Sequence, residues 1–371
     1  MGPLPKNTYY PYLRKEIAQK NKKRKRSFMK GVLLVNLGSP DSPQPADVKT
    51  YLGEFLMDER VIDLPSLART LLVKGIILNT RPKKSAKAYQ KIWWEEGSPL
   101  IVLSKRLQDK VQKKVSVPIA LGMRYGNPSI QAGLEELYQK GVTDVFLIPL
   151  YPQFAMATTE TILVLAQALV EKHYPQMQLT TLPAFYHHAD YIRVLANSIQ
   201  EYLKDKDFEH LLFSYHGVPK RHIRKSDITK SHCKMDGSCC HTPSEAHQFC
   251  YSHQCYATTK KVAEYLELKA GTYSTSFQSR LGLDPWLQPY TDKTIESFAK
   301  KGVKKMAVVT PAFVSDCLET LEEIGMEAVE DFEDNGGEHL HVVPCINDRD
   351  DWVIVLSRWI DEWATQAEVN S

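Results

Sequence analysis

The sequence predicts an α/β protein made of two similar halves, each a parallel sheet flanked by helices. Three observations carry this. Apolar strand runs alternate with helical patterns, the arrangement that gives parallel sheets covered by helices. Two pairs of segments resemble each other: "VLLVNLGSP" (32–40) with "LLFSYHGVP" (211–219), and "KGVTDVFLIPLYPQF" (140–154) with "KGVKKMAVVTPAFVS" (301–315). The length of 371 residues also suits two domains of about 150 residues each.

Residues 1–30 read as a basic tail, with "KNKKRKR" at 20–26. No apolar segment follows it, so it is not a secretory signal. The first half spans 31–185. Its first strand ends in a Gly and Pro turn at Gly38 and Pro40. An apolar helix at 64–78 is followed by Arg81, Lys83, Lys84 and Lys87, and an apolar lip beside a basic edge suits docking on a membrane surface. In "SIQAGLEELYQK" (129–140), Ile130, Leu134 and Leu137 share one helical face ahead of a Val-rich strand.

The second half spans 186–350. Its first strand stops at His216 and Gly217. A cysteine-rich insert occupies 231–256. In "TDKTIESFAKKG" (291–302), Thr291 is the expected N-cap and Gly302 the stop. Asp316 reads as an N-cap with Glu319 three residues on, as in a capping box. The last helix, within 351–366, spaces Trp352, Val355, Leu356, Trp359 and Trp363 on one face and is expected to pack back on the first half.

The bulk numbers exclude some classes. Hydrophobic content of 43% and charged content of 25% are those of a globular chain. A net charge of +3 gives no argument for a nucleic-acid partner, and no apolar run of ~18 residues is long enough to span a membrane. Seven cysteines without a leader for an oxidising compartment point to metal binding rather than disulfides.

In open α/β sheets, ligands sit beyond the carboxyl ends of strands, which is where His216 lies. Glu319, Glu323 and Glu327 follow i, i+4, i+8 spacing and line one helical face. Like charges one turn apart repel mildly, and a cation passing along the row would account for them. A histidine nitrogen with carboxylates suits a divalent first-row metal such as Fe(II), and equally suits acid–base work.

Several segments resemble the signatures of ferrochelatases: "VLLVNLGSP", "KAYQKIWWEEGSPL" (87–100), "MRYGNP" (123–128), "LLFSYHGVP", "SFQSRLGLDPWLQPYTD" (276–292) and "SDCLETLEEI" (315–324). They run in family order from about residue 31 to 365. The resemblance implies two Rossmann-like domains with a porphyrin cleft between them. It implies insertion of Fe(II) into protoporphyrin IX with release of two protons, the last step of haem synthesis. By the same resemblance His216 and Glu319 are catalytic and meet the metal, one as proton acceptor and one as ligand, in an order left open. Glu323 and Glu327 continue the acidic row. Leu37 touches the ring face, Arg124 and Tyr125 line the pocket, and Gln278, Ser279, Arg280 and Trp286 border the substrate. Arg280 could pair with a propionate, since guanidinium suits carboxylate geometry. Cys317 stands where some members carry His.

The insert holds Cys233, Cys239, Cys240, Cys250 and Cys255 with no CxxC pair, so common zinc-ribbon spacing is not met. The resemblance implies a [2Fe–2S] cluster on Cys233, Cys239, Cys240 and Cys250, with Cys255 as the alternative ligand. Met156 replaces the first ligand of another family arrangement, which excludes that one. The competing readings are a coproporphyrin III ferrochelatase, whose members tend to carry Tyr at the Leu37 position, and a non-catalytic haem or metal sensor on the same fold. The expected location is cytoplasmic, peripheral on the cytoplasmic side of the inner membrane.

Overall fold

A computed structural model describes residues 29–366 apart from Leu281 and Leu283, so the basic run at 20–26 lies outside the described residues. Eight strands form two four-stranded parallel sheets of matching order, β2-β1-β3-β4 and β6-β5-β7-β8. The first contains β1 (Lys30–Ser39), β2 (Ile119–Gly126), β3 (Asp144–Pro149) and β4 (Gln178–Thr181). The second contains β5 (His210–His216), β6 (Tyr273–Gln278), β7 (Lys305–Val309) and β8 (His339–Val342). The two repeated segment pairs are thus the first and third strands of each half. Helices cover both faces of each sheet, so the central strands carry unbroken apolar runs: Val32 to Val35 and Leu211 to Phe213 are fully excluded from solvent.

The sheet order positions the site. From β1 the chain crosses to β2 on one side, then returns past β1 to β3 on the other. The carboxyl end of β1 is therefore a topological switch point, and that of β5 is its counterpart.

Helix Ile130–Gln139 begins on Ser129, whose Oγ accepts from Ala132 N at 3.1 Å. Helix Thr291–Lys300 ends just before Gly302, at φ +91°. Its cap differs from expectation: Tyr290 is the N-cap. The Thr291 hydroxyl instead lies 2.8 Å from both Ser214 Oγ and Ser276 Oγ, fastening the helix to the sheet. Asp316 does not form a capping box either. Its carboxylate accepts from Thr320 Oγ1, Cys345 N and Asn347 Nδ2 at 2.9, 3.3 and 2.6 Å, because it is buried against the chain leaving β8. Glu319 is left free of a capping role.

Residues 66–80 form one helix with a wide π-type turn at Leu71–Ile77. Val73 and Ile77 are buried with Leu56 and Ile62. Leu67, Leu71 and Ile76 face outward, 74%, 63% and 59% exposed. The final helix, Asp350–Thr365, buries Trp352, Trp359 and Trp363. Trp363 stacks on Phe146 of β3 at 4.9 Å, and Trp352 packs on Phe185 at 5.7 Å. Lys30 Nζ donates to the Ala364 and Gln366 carbonyls at 2.9 and 3.0 Å, satisfying groups that a helix end leaves unpaired. One continuous core links Phe146, Phe213, Ala307 and Trp352, and so runs through both halves.

Candidate active site

The carboxyl ends of β1 and β5 open onto one cleft of about 1000 Å³, at the upper end for ligand pockets. Leu37 and His216 occupy equivalent strand-end positions and both line it, one apolar and one titratable. Each is followed by a glycine that lets the neighbouring strand approach. A Cβ on Gly38 would lie 1.8 Å from Tyr125 O, and one on Gly217 would lie 2.9 Å from Gln278 O. One side of the mouth is apolar, formed by Val61, Ile62, Leu64, Leu72 and Ile76.

His216 Nδ1 lies 2.6 Å from Gly217 O. A carbonyl oxygen only accepts, so Nδ1 is the donor in this contact, which places the lone pair of a neutral imidazole on Nε2. Phe313, after β7, packs edge-on to the imidazole at 6.3 Å.

The acidic row runs from the cleft to the surface. It sits on a π-type helix, Glu319–Glu327, that continues as Ala328–Asp334. Such widened turns recur at functional sites. Glu319 and Glu323 line the cleft, half-buried, whereas Glu327 is exposed outside it. Burial, with a smaller push from Glu319, raises the proton affinity of Glu323 against the opposing pull of Ser279 and His216. Glu327 is also raised, first by burial and then by Glu322. Leu318 and Leu321 pack against Tyr89 and Ile92 of the first half, and Lys91 Nζ meets Glu322 at 2.8 Å. The row is therefore held by both halves.

Gln278 does not reach the cleft. It is 3% exposed and joins β5 to the helix: Ser214 Oγ donates to its Oε1 at 2.8 Å, and its Nε2 donates to Glu319 O at 3.0 Å. Ser279 lines the cleft at φ +56°. Its N donates to Glu323 Oε1 at 2.8 Å, and its hydroxyl donates to Oε2. A non-glycine residue held left-handed is a strained position that the surroundings must impose. Trp286 borders the cleft beside Gly217.

Three further expected contacts differ. Arg124 and Tyr125 stand behind the cleft, because both are drawn to Asp58: Arg124 as an ion pair and Tyr125 through its hydroxyl at 3.1 Å. Arg280 lines the cleft, but its guanidinium is spent on a bidentate pair with Asp292 at 3.0 Å and lies over the Tyr290 ring at 4.3 Å. Residues that the sequence did not single out include Tyr51, Tyr89 and Tyr151, buried hydroxyls lining the cleft toward Glu319. Arg81 lines the mouth and makes no ion pair among the described residues. Arg221 also lines it and pairs with Asp63 and Asp284.

All seven cysteines are free thiols. Cys233, Cys239, Cys240 and Cys250 line one small cavity with His232 and His247. Cys233 Sγ lies 3.1 Å from Met235 Sδ, and Cys240 Sγ lies 3.4 Å from Ser252 Oγ. Among the described residues no three Cys, His, Asp or Glu side chains surround a common point as metal ligands. Cys255 is fully buried outside that cavity, beside Tyr251. Cys317 is a buried thiol at the cleft, its proton affinity raised by burial and then by Glu319.

The ferrochelatase family model matches residues 29–364. A ferrochelatase from Pseudomonas syringae pv. syringae is 48% identical over 328 residues, 88% of this chain and 96% of the relative. One from Ectopseudomonas mendocina is 48% identical over 327 residues, 88% of this chain and 95% of the relative. The solved structure of SirB from Bacillus subtilis with Fe3+ shares the fold, with a TM-score of 0.51 at 11% identity over 91% of this chain and 96% of that one. The matching sheets, the shared cleft and this identity over most of its length make one conclusion: the chain belongs to the ferrochelatase family.

Proposed function

We propose that His216 is the proton acceptor, and Glu319 the group that meets iron, when this enzyme inserts Fe(II) into protoporphyrin IX. The observation that carries this is the Nδ1 contact of His216 with Gly217 O, which leaves Nε2 with a lone pair at the cleft. Insertion replaces two pyrrole N–H bonds by bonds to iron and releases two protons. The flat macrocycle would lie between Leu37 and His216 in a site lined by apolar groups, which excludes water and strengthens local electrostatics. Glu319, Glu323 and Glu327 form a continuous acidic line from that position to the surface. The raised proton affinity of Glu323 suits it to pass a proton outward or to release a cation inward.

Protoporphyrin is favoured over coproporphyrin by the number of free cations. Coproporphyrin carries four propionates and protoporphyrin two. At the mouth Arg280 and Arg221 already hold aspartates, which leaves Arg81. The outward Leu67, Leu71 and Ile76 beside Lys74 support peripheral docking on an anionic membrane from the cytoplasmic side. No helix among the described residues is long and apolar enough to cross a membrane.

The thiols of Cys233, Cys239, Cys240 and Cys250 suit a [2Fe–2S] cluster: four soft donors line one small cavity, and Cys255 is placed elsewhere. Bound there, a cluster would supply a thiolate-linked brace for the loop that leads to the helix behind His216. Steady-state anaerobic Fe(II) insertion tests the substrate reading. Faster turnover of protoporphyrin is expected, and faster turnover of coproporphyrin would overturn it.

A further inference from the structure

The cysteine loop is joined to the cleft by a short path. Cys250 is the N-cap of helix Tyr251–Tyr265, and its Sγ accepts from His253 N at 3.5 Å. The next residue, Tyr251, is 6% exposed, and its hydroxyl donates to His216 O at 2.8 Å. Two turns further along the same helix, Thr259 Oγ1 lies 2.9 Å from Tyr215 OH. The helix is therefore fastened to consecutive residues of β5, at the end that presents His216.

We propose that Tyr251 is a positioning residue for His216, through which the state of the loop carrying Cys233, Cys239, Cys240 and Cys250 reaches the cleft. The proposal rests on the reading that those thiols hold a cluster. The His216 carbonyl is adjacent to the peptide whose own oxygen, Gly217 O, holds the imidazole Nδ1. Rotating that peptide turns the ring. The Tyr251 hydroxyl is the side-chain donor that fixes the peptide before it, through His216 O, from a residue covalently next to Cys250. Misplacement of a reacting group by about 1 Å can cost about 100-fold in rate, so a loop movement smaller than a bond length is enough to matter.

The test uses the full chain purified anaerobically, with bound iron and sulfide quantified. Two readouts are followed: kcat and KM for Fe(II) insertion, and the rate of carbethoxylation of His216 by diethyl pyrocarbonate, read by mass spectrometry. In the unaltered protein, removing the cluster with a chelator should change the His216 modification rate about threefold or more, and Cys239→Ser should reproduce that change. Tyr251→Phe keeps the ring that borders the cleft and removes the hydroxyl. It should lower kcat about fivefold, the loss expected for one hydrogen bond, with KM for porphyrin and cluster content unchanged. His216 modification in this variant should no longer respond to cluster removal. The proposal is overturned if Tyr251→Phe matches the unaltered protein in kcat and His216 reactivity, or if its His216 still follows the cluster. A protein without iron or sulfide would refute the cluster reading and the coupling together, a result that metal analysis separates from the others.

Discussion

Asp63 ties the apolar lip to the second half, and replacing it by Asn should measurably weaken the fold. Its side chain is 4% exposed and holds Arg221 through Oδ1 and Lys225 Nζ through Oδ2 at 2.5 Å. His222 Nε2 lies at 3.4 Å, and Arg221 also pairs with Asp284. Burial pushes the Asp63 carboxyl up, but the hydrogen bonds from Lys225 and Arg221 outweigh it and hold the group at about 2, below the ordinary 3.8. That difference corresponds to at most about 2.4 kcal/mol. Arg221 and Lys225 are 32% and 50% exposed, so solvent screening reduces the contribution to about 1 kcal/mol. A carboxyl depressed in the folded state stabilises fully above its unfolded pKa and loses that contribution as pH falls through its folded pKa. The window here runs from about pH 4 down to about pH 2, with roughly half of the contribution gone by pH 3. Urea unfolding followed by tryptophan fluorescence should show Asp63→Asn destabilised by about 1 kcal/mol at pH 7 and by about half that at pH 3. An Asp63→Asn variant as stable as the original at pH 7, or a gap that does not narrow with acid, would refute the reasoning.

Ser279→Ala removes one of the two donors that oppose the raised proton affinity of Glu323. The acid limb of the kcat profile should move to higher pH, because Glu323 then protonates sooner, and kcat near neutrality should fall about threefold to tenfold. Gln278→Leu removes the side-chain donor to the part-buried Glu319 carbonyl and should cost about 1 kcal/mol of stability in urea titrations. Leu67→Asp with Leu71→Asp places charge on the outward face of the 66–80 helix. Sedimentation with anionic vesicles should then lose most of the protein from the pellet, while turnover of detergent-solubilised porphyrin stays near its original value.

Strand runs and their duplication were legible because strands covered on both faces must be continuously apolar, as Val32 to Val35 and Leu211 to Phe213 are. The ends of those runs marked Leu37 and His216, and helical spacing put Glu319, Glu323 and Glu327 on one path. Competition between local and distant partners was not legible. Asp316 has the residue type and spacing of a cap, yet Asn347 and the Cys345 amide claim its carboxylate. Arg280 has the chemistry for a propionate, but Asp292, twelve residues on, satisfies it first. The pairs that shape the cleft, Asp63 with Arg221 and Tyr251 with His216, are separated by 158 and 35 residues. Only the fold brings them together, so neither partner carries a signal by itself.

The central claim is that His216 and Glu319 perform insertion at the cleft between the halves. Anaerobic Fe(II) insertion into protoporphyrin IX by His216→Ala and Glu319→Gln tests it most directly, with porphyrin binding followed separately by fluorescence. A loss of about 100-fold or more in kcat is expected for each variant, with porphyrin still bound. Full insertion activity in either variant would contradict it.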